Sequence, residues 1–76
     1  MRGYSQVIVN KNLLAPLSSD GVKLGRFCIE RGISANYLAN YFGVSRPTIY
    51  AWFSGEKAPR PTQIRKIRDF IQQAGD

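Results

Sequence analysis

The stretch Ser34–Gly55, which reads S-A-N-Y-L-A-N-Y-F-G-V-S-R-P-T-I-Y-A-W-F-S-G, predicts two short helices joined by a tight turn. Ser34 and Ser45 are suited to cap the two helices, because a serine hydroxyl accepts a hydrogen bond from an unpaired N–H of the first turn. Gly43 is suited to end the first helix, since glycine adopts the left-handed conformation at little cost. Pro47 in the first turn of the second helix loses no hydrogen bond.

Both helices carry apolar residues at helical spacing, which predicts one buried face on each. These residues are Leu38, Ala39 and Phe42 in the first helix and Ile49, Trp52 and Phe53 in the second. The small side chain of Ala39 lets the second helix cross the first at about 90–120°. We expect Val44, an apolar residue in the turn, to be buried as well.

The other residues of the second helix, from about Arg46 to Ser54, are not needed for a core. They are polar or small, which is typical of a helix that reads base edges in the DNA major groove. We expect Arg46 to read a guanine, because its guanidinium can bridge O6 and N7. The remaining predicted base-reading residues are Pro47, Thr48, Tyr50 and Ala51, with a phosphate contact as the alternative for Thr48.

The stretch resembles the helix-turn-helix of the lambda-repressor-like (Cro/Xre) DNA-binding family. The residues that match are Leu38, Ala39, Phe42, Gly43, Val44, Ser45, Ile49, Trp52 and Gly55, and the resemblance covers roughly residues 20–73. It implies an all-α, small four-helix domain that regulates transcription by binding double-stranded DNA. Family members often carry glutamine at the start of the first motif helix, where this chain has Ala35. An ordinary corner of two helices is the alternative.

Phosphate contacts are expected at the start of the first motif helix and after the second. Backbone N–H groups at a helix N-terminus attract anions, and lysine and arginine neutralise the DNA backbone. The predicted phosphate-contacting residues are Ala35, Asn36, Tyr37, Ser45, Ser54, Lys57 and Arg60. The alternatives are plain surface packing for Tyr37 and solvated charge for Lys57 and Arg60.

Composition agrees with a nucleic-acid partner. The chain has 76 residues, enough for one small domain, and its 11 Lys and Arg against 5 Asp and Glu give a net charge of +6. A charge of this sign favours nucleic acid or an anionic surface. With no histidine, one cysteine and scattered acids, we expect no catalysis, no disulfide, no metal and no cofactor. We expect a cytoplasmic protein, since no apolar run reaches the roughly 20 residues that span a bilayer and no signal peptide is recognisable.

The flanks of the motif predict two further helices within a domain of residues 18–76. The first runs roughly over Asp20–Arg31 with Leu24, Phe27 and Cys28 inward. The last begins at Pro61 and carries an apolar stripe. Residues 1–17 are expected to be an N-terminal arm or a short strand, with Gln6–Val9 extended because the segment is rich in β-branched residues. The alternative is a frayed end with a few apolar residues packed against the helices. Leu13, Leu14 and Leu17 are expected to form a loop pinned to the core.

The predicted function is that of a sequence-specific regulator, by resemblance a repressor of the phage or plasmid Cro-like type. Specificity favours a homodimer on a palindromic operator, with reading helices ~34 Å apart. The last helix and the Gln6–Val9 segment are equal candidates for the dimer surface. The rival is a protein-interaction adaptor, an antitoxin or anti-repressor, that binds through Tyr37 and Tyr41 or the N-terminal arm. RNA fits less well, because the A-form major groove is deep and narrow. Neither a membrane nor a small-molecule ligand is expected.

Overall fold

A computed structural model describes residues 4–75, and this part of the chain is all-helical. The helices are α1 (Gln6–Leu14), α2 (Asp20–Arg31), α3 (Ala35–Phe42), α4 (Arg46–Ser54) and α5 (Pro61–Gly75). The predicted all-α class is therefore confirmed, with α1 as a fifth helix beyond the four expected. The predicted motif corresponds to α3, the turn and α4. None of the helices among these residues is both long and apolar enough to cross a bilayer.

The ends of the motif helices are set by the residues that the sequence indicated. The Ser34 hydroxyl accepts a hydrogen bond from the Tyr37 N–H at 3.1 Å, and the Ser45 hydroxyl accepts one from the Thr48 N–H at 3.3 Å. Gly43 has a φ of 70°, a left-handed conformation that favours glycine. The turn is therefore determined locally, which explains why its position was predictable.

The core lies between α2, α3, α4 and α5, with α4 at its centre. The buried faces of α3 and α4 meet where the Phe42 and Trp52 rings pack edge to face, with centroids 5.8 Å apart. The Phe70 ring of α5 also packs against the Phe42 ring, with centroids 5.9 Å apart. The buried core residues are Leu24, Cys28, Ala35, Leu38, Ala39, Phe42, Ile49, Trp52, Phe53, Ile67 and Phe70. Val44 is half-buried and packs against this cluster.

The expectation of an extended segment or short strand at Gln6–Val9 is wrong, because these residues begin α1. The hydroxyl of Ser5 caps this helix by accepting a hydrogen bond from the Ile8 N–H. Tyr4, Ile8 and Asn12 then recur at a spacing of four and face the rest of the protein. A lone strand has no partner for its backbone groups, whereas a helix satisfies them internally. Tertiary contacts therefore override the β propensity of the valines and isoleucine.

Asn12 ties α1 to two other helices. It is 1 % exposed, and its Nδ2 donates to the carbonyls of Val22 at 3.1 Å and Phe53 at 2.8 Å. Its Oδ1 accepts from the Arg26 Nε at 3.0 Å. Gly25 permits this approach, since a Cβ there would lie 2.5 Å from the Asn12 Nδ2 and 2.7 Å from the Phe53 Cγ.

The expectation that Leu13, Leu14 and Leu17 form a loop pinned to the core is also wrong. Leu13 and Leu14 belong to α1, and all three side chains are largely exposed. Because Asn12 occupies the inward position, the next two residues of the helix are rotated away from the core by about 100° and 200°. The exposed side of α1 therefore carries apolar side chains beside the polar Gln6, Asn10 and Lys11.

Candidate nucleic-acid interface

The N-terminal end of α4 is exposed. Burial of Ile49, Trp52 and Phe53 fixes the helix on the core. Arg46 and Pro47, in the first turn, are exposed. Two of the predicted base-reading residues are therefore at the outward tip of the helix, where a duplex can reach them.

Thr48 and Ser45 face one another across the start of α4. Their hydroxyl oxygens lie 3.0 Å apart, and Ser45 also caps the Thr48 N–H. Thr48 is half-buried, whereas Ser45 is exposed. The bond between them uses one of the two hydroxyl protons, so the pair keeps one proton to donate to a phosphate oxygen.

Tyr50 differs from the expectation that it is not needed for the core. It is half-buried and packs against the core cluster. The Tyr4 ring meets it edge to face, with centroids 6.4 Å apart. The Tyr4 hydroxyl donates to the Ile33 carbonyl, and burial raises the pKa of that hydroxyl above its ordinary value. Tyr4 thus covers the Tyr50 side of α4, although the two residues are far apart in the chain.

At the C-terminal end of α4, the Ala51 carbonyl oxygen accepts two hydrogen bonds. This oxygen accepts from the Ser54 hydroxyl at 3.3 Å and from the Lys57 N–H at 3.2 Å. Ala51 and Ser54 are both half-buried. The Ser54 hydroxyl is therefore held by its own helix, and the backbone at Lys57 is fixed relative to α4.

A cleft of about 450 Å³ lies between the motif turn, α4 and the loop that follows α4. It is lined by Gly43, Val44, Thr48, Trp52, Lys57, Ala58, Arg60 and Gln63. The structure thus brings together three predicted site residues, Thr48, Lys57 and Arg60, and no carboxylate lines the cleft. Its positive lining suits a phosphate. The sequence analysis did not identify Gln63 as a residue of this cleft. Its side chain donates to the Phe42 carbonyl at 3.0 Å. The one feature of the sequence that could have indicated it is its position in the first turn of the last helix.

Charge at this surface is positive and largely unneutralised. Among residues 4–75, Arg46, Lys57 and Arg60 form no ion pair, whereas Glu56 beside them does. The Glu56 carboxylate pairs with the Lys11 Nζ at 3.5 Å. This exposed pair contributes little stability, but it offsets a negative charge that would repel DNA.

The start of α3 offers a less open surface than the sequence predicted. Asn36 and Tyr37 are exposed, but Ala35 is buried and the Tyr37 N–H is bound by Ser34. The Tyr37 ring stacks on Tyr41 with centroids 6.1 Å apart. A notch of about 240 Å³ is lined by Tyr37, Tyr41, Phe70, Gln73 and Ala74. This aromatic notch and the cleft share no lining residue.

The described part of the chain shows neither a grouped set of metal ligands nor an exposed thiol. Residues 4–75 contain no group of three or more His, Cys, Asp or Glu side chains placed to hold a metal ion. Cys28 is buried, and burial raises the pKa of its thiol to about 12. A protonated, enclosed thiol is a packing group and not a nucleophile.

A comparison with protein families matches residues 24–72 to a helix-turn-helix family model. The match covers more than half of the chain and runs from within α2 to within α5, so it includes α3, the turn and α4. Helix α1 lies outside it. Comparisons with curated proteins and with solved structures gave no significant match.

Proposed function

The chain belongs to the lambda-repressor-like (Cro/Xre) helix-turn-helix family, a DNA-binding, transcription-regulating family, and from this premise we propose that α4 reads a specific sequence in the major groove of double-stranded DNA. The observation that carries the proposal is the exposed N-terminal end of α4, where Arg46 and Pro47 precede the buried Ile49, Trp52 and Phe53. A helix anchored in this way presents its side chains without rearrangement, so little binding energy is lost to ordering.

Base reading is assigned to the outer side of α4. Arg46 donates to O6 and N7 of a guanine, and Pro47 and Ala51 offer apolar contact to a thymine methyl. Thr48 stands at the edge of the cleft, so its hydroxyl reaches either a base or a phosphate. Tyr50 has the weakest claim of the five, because Tyr4 covers its side of the helix.

Phosphates are assigned to the cleft and to the start of α3. Lys57 and Arg60 hold one DNA strand at the cleft, and the Ser45 hydroxyl lies at the start of α4. The Ser54 hydroxyl, at the other end of the helix, reaches a phosphate only by releasing the Ala51 carbonyl. Asn36, Tyr37 and the N–H of Ala35 meet phosphates at the N-terminus of α3, where the helix dipole favours an anion. Such contacts set the register of the protein on the duplex and carry no sequence information.

In this proposal two copies bind a palindromic operator in the cytoplasm, at the bacterial nucleoid or in a phage-infected cell. Half-sites centred about 10 base pairs apart suit two α4 helices ~34 Å apart. Occupancy of a promoter by the dimer would then repress transcription, as in Cro-like regulators.

The test is selection of duplexes that the purified chain retains from a random pool. We expect enrichment of one sequence with two inverted half-sites, because each α4 reads one of them. Recovery of unenriched, random duplexes would contradict sequence-specific reading.

The second candidate, a protein-interaction adaptor, is favoured by one observation. Tyr37 and Tyr41 are exposed large aromatic residues that line the notch against α5, and aromatic side chains are common anchors at protein interfaces. An adaptor would bind duplexes only weakly and without preference. A titration of the selected and a scrambled duplex separates the two functions, since only a regulator discriminates between them.

A further inference from the structure

The cleft beside α4 combines an apolar part with a cationic part. Val44 and Ala58 belong to the apolar part, and Lys57 and Arg60 belong to the cationic part. Its volume of about 450 Å³ lies within the range of small-molecule sites, which combine apolar walls with a few polar groups. The phosphate contacts of the proposed function use the cations and leave the apolar part without a role. The cleft therefore suits a ligand that has an anionic end and an apolar end.

The charge of the cationic part is not neutralised by the protein. Lys57 and Arg60 are exposed, and neither has an ion-pair partner within residues 4–75. Glu56, next to Lys57 in the chain, pairs instead with Lys11 of α1 at 3.5 Å. A phosphate monoester carries a charge of about −1.5 to −2 at pH 7, whereas each phosphate of a duplex carries one negative charge. Two free cations therefore match a monoester more fully than a diester.

Hydrogen bonds hold the walls of the cleft in place. The backbone N–H of Lys57 donates to the Ala51 carbonyl at 3.2 Å, which fixes the loop against the end of α4. The Gln63 side chain donates to the Phe42 carbonyl at 3.0 Å, which ties the start of α5 to the end of α3. A ligand therefore meets a preformed site, and little of its binding free energy is lost to ordering the protein.

We propose that this cleft binds a small phosphate monoester whose other end is an apolar ring, with the phosphate at Lys57 and Arg60 and the ring against Val44 and Ala58. Aromatic phosphates and nucleoside monophosphates share this chemistry. The proposal departs from the sequence-based expectation that no small-molecule ligand binds, because the cleft forms only when the motif turn, α4 and the following loop pack together.

The inference deepens the proposed function, on which its regulatory consequence rests. In that function the same two cations hold a DNA phosphate, so the ligand and the duplex exclude each other. By mass action, a ligand concentration equal to the ligand Kd should weaken DNA binding about twofold. The concentration of the phosphate monoester would thus control how much of the operator is occupied.

The test is an NMR titration of the ¹⁵N-labelled full chain without DNA, at constant ionic strength. Trp52 lines the cleft and is the one tryptophan of the sequence, so its indole N–H gives a single signal that reports on the site. The probes are phenyl phosphate and adenosine monophosphate, and their controls are phenol, adenosine and inorganic phosphate. We expect a saturable shift of the Trp52 signal with at least one monoester, at a Kd at least about tenfold below those of its controls. The monoester with the lower Kd identifies the source of the ligand.

Variants locate the site. Lys57→Ala and Arg60→Ala should each raise the Kd of the bound monoester about tenfold, since each removes one charge-assisted contact. Lys23→Ala is the matched control, because Lys23 is exposed on α2 and does not line the cleft. Its Kd should equal that of the wild type. Circular dichroism should be unchanged in all three variants, since the three side chains are exposed.

The inference would be overturned if neither monoester shifted the Trp52 signal in a saturable way. It would also fail if inorganic phosphate bound as tightly as both monoesters, because the apolar part of the cleft would then contribute nothing. Equal binding of the uncharged controls would exclude a role for the cations. An equal rise in Kd for K57A, R60A and K23A would indicate a response to net charge and not a site.

The outcome is separable from that of the proposed function. A chain that discriminates its selected duplex but binds neither monoester would refute the cleft ligand alone. A chain that binds a monoester in the cleft and all duplexes equally would refute sequence-specific reading and leave the ligand site standing. Binding of the selected duplex that is unchanged at saturating monoester and constant ionic strength would refute the mutual exclusion.

Discussion

At the scale of single residues, Arg46 has the clearest assigned role. It is exposed at the tip of α4 and forms no ion pair within residues 4–75, so its guanidinium is available to a base. Arg46→Ala should cost roughly 1–3 kcal/mol in binding to the selected duplex and relax the preference at one base pair. Fluorescence anisotropy with all four variants of that pair checks this. Arg65→Ala removes the same charge from the exposed side of α5, away from α4, and should leave the preference intact.

If Arg46→Ala weakened binding to selected and random duplexes by the same factor, Arg46 would be a phosphate contact. Base reading would then rest on the other assigned residues of α4, Pro47, Thr48, Tyr50 and Ala51. The measurement therefore separates base reading from backbone positioning, the distinction on which specificity depends.

Asn12 is the residue whose importance no local pattern indicated. Asn12→Ala would leave the Val22 and Phe53 carbonyls without their donor and remove an acceptor from Arg26. Each buried group left without a partner costs about 1–3 kcal/mol, so we expect a loss of roughly 2–4 kcal/mol in the free energy of unfolding. For a domain of this size, each lost kcal/mol lowers Tm by about 4–8 °C.

Thermal denaturation followed by circular dichroism measures that loss. The exposed Asn40 of α3 provides the control, because Asn40→Ala removes the same amide without breaking a buried hydrogen bond. Equal melting temperatures for the two variants would show that α1 is not anchored through Asn12.

At the scale of elements, the sequence predicted those helices whose signals are local. For α3 and α4, the capping serines, Gly43 and the apolar spacing all lie within Ser34–Gly55 and agree with one another. Consistent local signals of this kind specify structure strongly. The buried side of α4 then left Arg46 and Pro47 outside, so that part of the candidate site was also predictable.

Helix α1 was not predictable, because its signals lie elsewhere in the chain. Its β-branched residues favour a strand locally, and it has no continuous apolar stripe. Its conformation depends on contacts of Tyr4 and Asn12 with Ile33, Val22 and Phe53. The packing of Tyr4 on Tyr50 likewise depends on residues that are far apart in the chain. Pairs so distant in sequence leave no periodic pattern that a single chain can reveal.

At the scale of the whole molecule, charge determines how binding responds to salt. The cleft gathers Lys57 and Arg60 with no carboxylate among its lining residues. If Lys57 neutralises one phosphate, Lys57→Ala should lower the slope of log K against log salt by about 1. Titrations of one duplex at several salt concentrations give this slope. An unchanged slope would remove Lys57 from the interface.

Lys23→Ala is the matched control for that titration. Lys23 is exposed on α2 and does not line the cleft, so the variant changes the net charge by the same amount. We expect its slope to equal that of the wild type. A fall in both slopes would indicate a response to net charge alone and not to a contact in the cleft.

Entry of α4 into the major groove is tested most directly by methylation interference on the selected duplex. Methylation of guanine N7 blocks the major groove, and methylation of adenine N3 blocks the minor groove. We predict interference at guanine N7 in each half-site with wild type, and its loss at one guanine per half-site with Arg46→Ala. Interference only at adenine N3, or none at guanine N7, would contradict the account.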